Sequence, residues 1–424
     1  MTFVKNKVKI NRLLIVMGAC VAFFSVKNNF ANCSSNINKE YYVARGKSLF
    51  LFNESAKNLV WESNNENIAV VKNGIVSLKD EGKVRITAKS CSDVNSNNGA
   101  IKEYIVNVLP AEQLKCCSYI NDLGLIKIYA ITNDSVKKLK VNLKINEKTF
   151  TSLNDKISCT KSGNSIFWEV PINITDVSEG NFTAKVFTSY DGTNWNSDDK
   201  KNCEINGSFL NAKKINSVGF FKRSASKRLV DFIKDWEGFV PKLEEDRLVS
   251  NVYNIGYGDV IYFGESFYNN ITRAEGFVRF LKKLNSGIYV KAVNDFVLKN
   301  KIECNQNQFD ALVSYSYNLG SSWLSNSKLK DLLLSAINPQ TGRIDFSYFN
   351  TIAQTANSGI YQELVGEILI KHHVLNPRRC IPGLLYRRIS ELNMFLYREY
   401  SKENGRLNKH KFYIPECIRN KVSC

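Results

Sequence analysis

Histidine is nearly absent from this chain, which has three in 424 residues: His372, His373 and His410. So few imidazoles leave little for a zinc enzyme, and they deprive the cysteines of a base that could turn one into a nucleophile. No GxxxxGK[ST] loop is present, which removes the phosphate cradle of a nucleotide-driven motor. No apolar run reaches the roughly 20 residues needed to span a bilayer, and no repeat of fixed period is evident. What remains is an ordinary globular mixture, 44% hydrophobic and 23% charged. Disorder and a polytopic membrane protein are disfavoured, and the length suggests about three domains. Lys and Arg outnumber Asp and Glu by 58 to 40, a formal charge of +18. That excess would hold the protein near polyanions, whether nucleic acid, anionic lipid or anionic wall polymer, without choosing among them. Carboxylates are left as the leading chemical groups.

The chain opens on Lys5, Lys7, Lys9 and Arg12, continues with an apolar run from Leu13 to Val26, and then becomes rich in Asn and Ser. Charge followed by a short apolar stretch is the order of a secretory signal, with cleavage expected near Ala31 and export as the consequence. A lipidated Cys20 is the lesser reading, because the apolar run continues through Val21, Phe23 and Phe24. Without Cys20 the eleven cysteines become ten, an even number that suits disulfides in an exported protein, although pairing is not legible. A metal site made of His372, His373 and Cys380 is also a lesser reading.

Residues 40–110 read as short β-type runs separated by polar turns: Leu49 to Phe52, Ile68 to Val71, Ile75 to Leu78, Val84 to Ala88 and Tyr104 to Val108. In their order and spacing, Gly46, Trp61, Ser63, Ile68, Ala69, Val70, Gly74, Val76, Gly82 and Ile86 resemble the bacterial Ig-like group 2 domain. The resemblance implies a surface-protein module, usually a spacer or an adhesive domain, with Trp61 in its core. Residues 112–210 predict a second β-sandwich, with strands at Ile126 to Ile131, Val141 to Ile145, Ile166 to Ile172 and Phe182 to Ser189, and a hairpin turning at Asp191-Gly192. Tyr190 and Trp195 beside that turn read as strand-end packing ahead of a sugar-stacking pair.

From residue 217 to 400 the period changes from two to 3.6. Ser226 predicts an N-cap for a helix with Leu229, Ile233 and Trp236 on its apolar face and Gly238 at its end. Thr272 and Glu275 form a capping-box pair ahead of a helix through Phe277 and Leu281. Phe309, Leu312, Val313 and Tyr317 give another helical stripe closing at Gly320, and Leu385, Ile389, Leu392 and Leu396 a last one. Val252 to Gly264 is β-like. The expected architecture is therefore multidomain: a signal segment (1–31), two all-β Ig-like sandwiches, an α+β and mostly helical domain with one small β hairpin, and a basic, Cys-containing tail (401–424).

Glu237 ends the first helix beside Trp236, so its carboxyl group would enter a partly apolar cleft, where desolvation raises a carboxyl pKa and makes a general acid. Nine residues on comes Asp246, in Glu244-Glu245-Asp246; in wetter surroundings it would stay ionised and could orient a water. Two acids in unlike environments are what glycosidic hydrolysis needs, but spacing alone also fits a solvated charge cluster.

The words around these acids sharpen the reading. Trp236-Glu237-Gly238-Phe239, Ile255-Gly256-Tyr257-Gly258, the run Gln306 to Ser314 with Tyr317-Asn318-Leu319-Gly320, and Gly383 to Arg388 with Glu391 resemble, in order, the phage-type lysozymes of glycoside hydrolase family 24. The resemblance implies an endo-acting, inverting muramidase that needs no cofactor and no metal. It would cut the β-1,4 bond between N-acetylmuramic acid and N-acetylglucosamine in bacterial peptidoglycan, with Glu237 as general acid and Asp246 orienting the water. Where the family generally carries Thr before this turn, the chain has Asn254, and the stretch from Asp246 is two residues longer than usual. An amide still donates and accepts hydrogen bonds, so Asn254 joins the catalytic candidates, while Glu244, Glu245 and Asp259 stay open as alternatives to Asp246. Gly256, Tyr257, Gly258, Gln306 and Asn318 are the candidate substrate-binding positions, and Arg387 and Arg388 are expected to pair with a helix or carboxylate. The expected setting is secreted or on the cell surface or wall, with peptidoglycan and anionic wall polymers as partners, no nucleic acid and no membrane span after signal removal. The alternative function is a wall- or carbohydrate-binding protein that has lost catalysis.

Overall fold

The computed structural model describes residues 39–402 except 53–58, 91–100, 123–124, 153–155, 175–176, 197–202, 216, 247–250, 287, 350–358, 372–373, 377–378 and 381. The expected signal segment, nearly all of the tail and the three histidines lie outside the described residues.

Seven strands come first: β1 (Lys39–Ala44), β2 (Ser48–Phe50), β3 (Leu59–Ser63), β4 (Ala69–Lys72), β5 (Ile75–Leu78), β6 (Gly82–Ser90) and β7 (Ile101–Leu109). One sheet runs β1-β7-β6-β3, with β1 parallel to β7 and the rest antiparallel. Facing it is the ribbon β2-β5-β4. Alternation drives the closure: Val84, Ile86 and Ala88 on β6 and Tyr104, Val106 and Val108 on β7 face Leu49, Leu51 and Val76 in one core. Trp61 stacks on Tyr104 with ring centroids 6.0 Å apart, the packing role expected of it.

Eight strands form the second sandwich: β8 (Leu114–Asp122), β9 (Leu125–Asn133), β10 (Lys138–Ile145), β11 (Lys148–Thr151), β12 (Ser158–Ser162), β13 (Ser165–Asn173), β14 (Glu179–Ser189) and β15 (Cys203–Leu210). Its antiparallel sheets, β11-β10-β14-β15 and β12-β13-β9-β8, are clasped at neighbouring edges by the disulfide Cys117–Cys203. The Asp191-Gly192 reversal is present, since Asn196 N donates to Thr188 O at 3.0 Å. It is not a tight two-residue hairpin: the Asp191 carboxylate gathers the amides of Thr193 and Asn194 at 2.8 and 2.7 Å, and the next strand starts only at Cys203. Trp195 lies under Lys140 Nζ at 4.7 Å, at the end of the strands.

The remainder is mostly helical: α1 (Lys227–Glu237), α2 (Arg273–Ser286), α3 (Val290–Lys299), α4 (Gln306–Leu319), α5 (Lys328–Leu334), α6 (Gly359–Lys371) and α7 (Pro382–Tyr397). Between α1 and α2 lie β16 (Val240–Glu245), β17 (Tyr253–Gly256), β18 (Asp259–Ile261) and β19 (Ser266–Phe267). The expected caps are in place. Ser226 Oγ accepts from Leu229 N at 3.1 Å, and Thr272 and Glu275 exchange side-chain to backbone bonds of 2.8 and 3.2 Å. In place of one hairpin there is a three-stranded sheet, β16-β17-β18. Its extra strand is the polar stretch Val240–Glu245, whose Pro241 and exposed acids suit an edge.

These units share cores. Ile120, Tyr129 and Ile131 of the second sandwich belong to the helical core, and Tyr129 meets Phe277 edge to face at 5.2 Å. Glu275 on α2 accepts from Ser165 at 2.7 Å and Lys115 at 3.3 Å. No helix among the described residues is long and apolar enough to cross a membrane.

Candidate active site

The site begins at the C-terminus of α1. Leu229, Ile233 and Trp236 bury one face of that helix, and the same rotation carries Glu237 inward until only 3% of it is exposed. Gly238, at φ 69°, ends the helix in a left-handed conformation that admits glycine without strain, and its N–H returns to Lys234 O at 3.1 Å. The carboxyl group of Glu237 therefore sits at a sharp corner of the chain, held from three sides.

On one side is the turn after β17. A Cβ placed on Gly258, itself at φ 81°, would stand 3.4 Å from Glu237 Oε2 and 3.8 Å from Tyr317 Oη. Tyr317 fixes this turn by donating to Tyr257 O at 2.7 Å. On the second side α7 supplies Arg387, whose guanidinium donates to Glu237 Oε1 at 2.5 Å and to Glu391 Oε1 at 3.2 Å. On the third side α4 runs past, and its Ser314 and Asn318 join the same network: Ser314 Oγ donates to Glu391 at 2.7 Å, and Arg388 bridges Asn318 and Glu391 at 3.0 Å each. Arg387 and Arg388 are completely buried, so each needs a nearby carboxylate to offset its desolvation. Pairing with carboxylates is the role the sequence led us to expect of them.

These contacts pull the Glu237 pKa in opposite directions. Burial raises it and is the larger effect; Arg387 pulls it down, Glu391 adds a smaller push upward, and the net direction is upward. A protonated carboxylic acid beside a backbone turn is thus available at a pH where exposed carboxylates are ionised.

Across the small sheet, Asp246 is 8% and Asn254 4% exposed, whereas Glu244 and Glu245 face outward on β16. Asp246 N donates to Val252 O at 2.6 Å, just beyond the pairing of β16 with β17. Glu245 Oε1 accepts from Asn251 N at 2.8 Å. Asn254 pairs across the sheet with Glu244 on one side and Val260 on the other. Asp259 is tied up elsewhere: Arg279 and Lys283 both donate to it, and their charges outweigh the upward push of burial to hold its carboxyl below the usual range. Glu244 and Glu245 lack the burial of Asp246.

The other candidates separate. Gly256 packs against α2, where an added Cβ would lie 3.5 Å from Ile271 Cδ1 and 3.7 Å from Gly276 Cα. Tyr257 is buried with its ring 5.3 Å from Phe239 and 5.9 Å from Phe280. Asn318 is engaged by Arg388. Gln306 is occupied at the start of α4, donating to Ser224 O at 2.8 Å and Asp310 Oδ1 at 2.9 Å and accepting from Arg223 at 3.3 Å. The residues that sequence reasoning did not place in the site are Tyr317 and Glu391. Tyr317 was read as part of a core stripe, and both residues stood in the family-like blocks without being given a role in the site.

Residues 234–362 match the phage lysozyme family model. This stretch is a phage lysozyme domain. The match begins inside α1, takes in Glu237, the small sheet and α4, and stops short of α7, so Arg387 lies beyond it. The lysozyme domain is similar to an endolysin of Bacillus phage B103, 25% identical over 182 residues that make up 43% of this chain and 57% of that protein. The chain therefore spans a little over half the length of that curated relative. Similar solved structures include an endolysin from Escherichia coli O157:H7 phage FAHEc1, 24% identical over 43% of this chain and 99% of that one, TM-score 0.29. Another is the muramidase domain of SpmX from Asticaccaulis excentricus, 24% identical over 41% of this chain and 98% of that one, TM-score 0.29.

Proposed function

We propose that this protein is an exported lysozyme that hydrolyses the β-1,4 bond between N-acetylmuramic acid and N-acetylglucosamine in bacterial peptidoglycan. The observation that carries the reading is Glu237: a carboxyl group 3% exposed, its pKa raised by burial, pressed against the Gly258 turn and oriented by Arg387. In this role Glu237 protonates the bridging glycosidic oxygen as the bond breaks, while water attacks the sugar from the opposite face, oriented by Asp246 with Asn254 beside it on the sheet. Inversion at the anomeric carbon follows from a single displacement by water. Arg387 holds the acid in one rotamer and stabilises the carboxylate left after proton transfer. The family match at residues 234–362 supports the same chemistry. The formal charge of +18 would concentrate the protein on anionic wall polymers.

Incubating the full protein with purified peptidoglycan and measuring reducing ends tests this. Wild type should release them, and Glu237→Gln should lose about 10²-fold or more of the rate with its fold intact. Binding to peptidoglycan without any cleavage by wild type would favour the lapsed, wall-binding alternative.

A further inference from the structure

We propose that the first β-sandwich is part of the catalytic lobe, and that Phe50 is a positioning residue acting through Tyr253 on the strand that carries Asn254. The inference rests on the lysozyme reading above and goes beyond it, since a module of this kind would otherwise be a spacer or an adhesive domain.

Two observations carry it. The first is main-chain pairing. β19, from the lysozyme domain, adds to the free edge of β2 in the first sandwich, with Ser266 opposite Leu49 and Phe267 opposite Ser48. Phe50 N donates to Glu265 O at 3.0 Å, and Gly264 N donates to Phe50 O at 2.6 Å. The sandwich and the lysozyme domain thus share one four-stranded sheet, β19-β2-β5-β4.

The second is the direction of side chains along β2. Leu49 and Leu51 point into the sandwich's own core, while Phe50 between them points away from it and is still only 3% exposed. What buries Phe50 is the lysozyme domain: it clusters with Ile255, Ile261, Phe267 and Ile271. Its ring lies 5.1 Å from that of Tyr253, which Phe52 also meets edge to face at 5.4 Å. A tether would leave this face polar, whereas here the sandwich supplies core residues to the small catalytic sheet.

The consequence follows from the two-residue period of a strand. Tyr253 and Ile255 share the face of β17 that rests on Phe50, so Asn254 is presented on the opposite face. A slip of one residue would exchange the two faces. The apolar wall contributed by the sandwich therefore helps keep Asn254 in register.

The test uses the full chain. Phe50→Ala removes the wall without touching the sandwich's own core, and Phe50→Leu restores most of it. Val106→Ala, a cavity in that core, controls for general loosening. Phe50→Ala should lower kcat on soluble peptidoglycan fragments by about tenfold to a hundredfold with KM little changed, as expected when reacting groups are misplaced but binding survives. It should also speed hydrogen exchange of the 252–256 amides. Phe50→Leu should recover most of both, and Val106→Ala should change neither at temperatures where it is folded. A folded Phe50→Ala with wild-type kcat overturns the inference, as does equal loss in Val106→Ala. If Phe50→Ala does not fold, Phe52→Ala carries the same test, with the same loss expected in smaller degree and an unchanged kcat overturning the inference. An inactive wild type would instead sink the lysozyme reading, and the inference with it.

Discussion

Replacing Arg387 by Met tests the electrostatics of the site, because it deletes a buried charge while keeping a long, flexible apolar stem. In the wild type, Glu237 is pulled upward by burial and downward by this guanidinium, 2.5 Å away. Two unit charges about 4 Å apart attract by about 4 kcal/mol at an effective dielectric constant near 20. Only part of that needs to act on Glu237: since about 1.4 kcal/mol is a tenfold change in proton affinity, losing about 1.5 kcal/mol of support would raise its pKa by about one pH unit. A general acid works while it is protonated, so the alkaline limb of kcat/KM should move to higher pH by about that amount. Stability should fall by about 3–5 kcal/mol, as for other buried pairs broken on one side. The raised carboxyl also sets a sign: the stability lost should grow as pH rises from the wild-type pKa of Glu237 through the higher pKa of the variant, because an ionised Glu237 then lacks the guanidinium that pairs with it. Arg387→Lys should fall between, keeping charge but losing the fork that spans Glu237 and Glu391. The assay is reducing-end release across a pH series, paired with thermal melts. If a folded Arg387→Met keeps its alkaline limb in place, or moves it to lower pH, the assignment of Arg387 as the partner of the acid is wrong.

Glu237→Gln should be at least as stable as wild type near neutrality: the wild-type carboxyl favours the fold only while protonated, so the melting-temperature difference between variant and wild type should widen as pH rises from the ordinary glutamate range through the raised pKa of the folded state. Gly258→Ala combines a residue at φ 81° with a methyl group 3.4 Å from Glu237 Oε2, so it should cost about 1–2 kcal/mol in a denaturant titration and lower kcat together with stability. Reducing Cys117–Cys203, which closes a loop of 86 residues, should destabilise the second sandwich by about 4–5 kcal/mol on the chain-entropy estimate, seen by calorimetry with and without reductant.

How far the sequence revealed this arrangement depended on how local each signal was. The helix carrying Glu237 was legible because its cap, apolar stripe and terminal glycine lie within thirteen residues, Ser226 to Gly238, and the capping box of α2 lies within four. α3 escaped because Tyr289, before its first turn, makes no side-chain capping bond. α6 escaped because apolar residues crowd most of its circumference, and the narrow stripe of Glu363 and Glu367 sets only a weak period. β16 was read as a polar lead-in, since an exposed edge strand with Pro241 and two acids has no alternation to betray it. The pairing of β19 with β2 joins short segments more than two hundred residues apart, at Ser266 and Leu49, and no periodicity encodes a partner at that distance. The arginine and glutamate cluster was half legible: the residues resembled a family pattern, but only the packing of α7 on α4 and α1 reveals that Arg387 reaches the acid.

The most direct test of the central claim is mass spectrometry of the products formed from purified peptidoglycan by wild type and by Glu237→Gln. Wild type should yield fragments with an N-acetylmuramic acid reducing end, and the variant almost none. Fragments ending in N-acetylglucosamine, free stem peptides, or undiminished cleavage by the variant would contradict that claim.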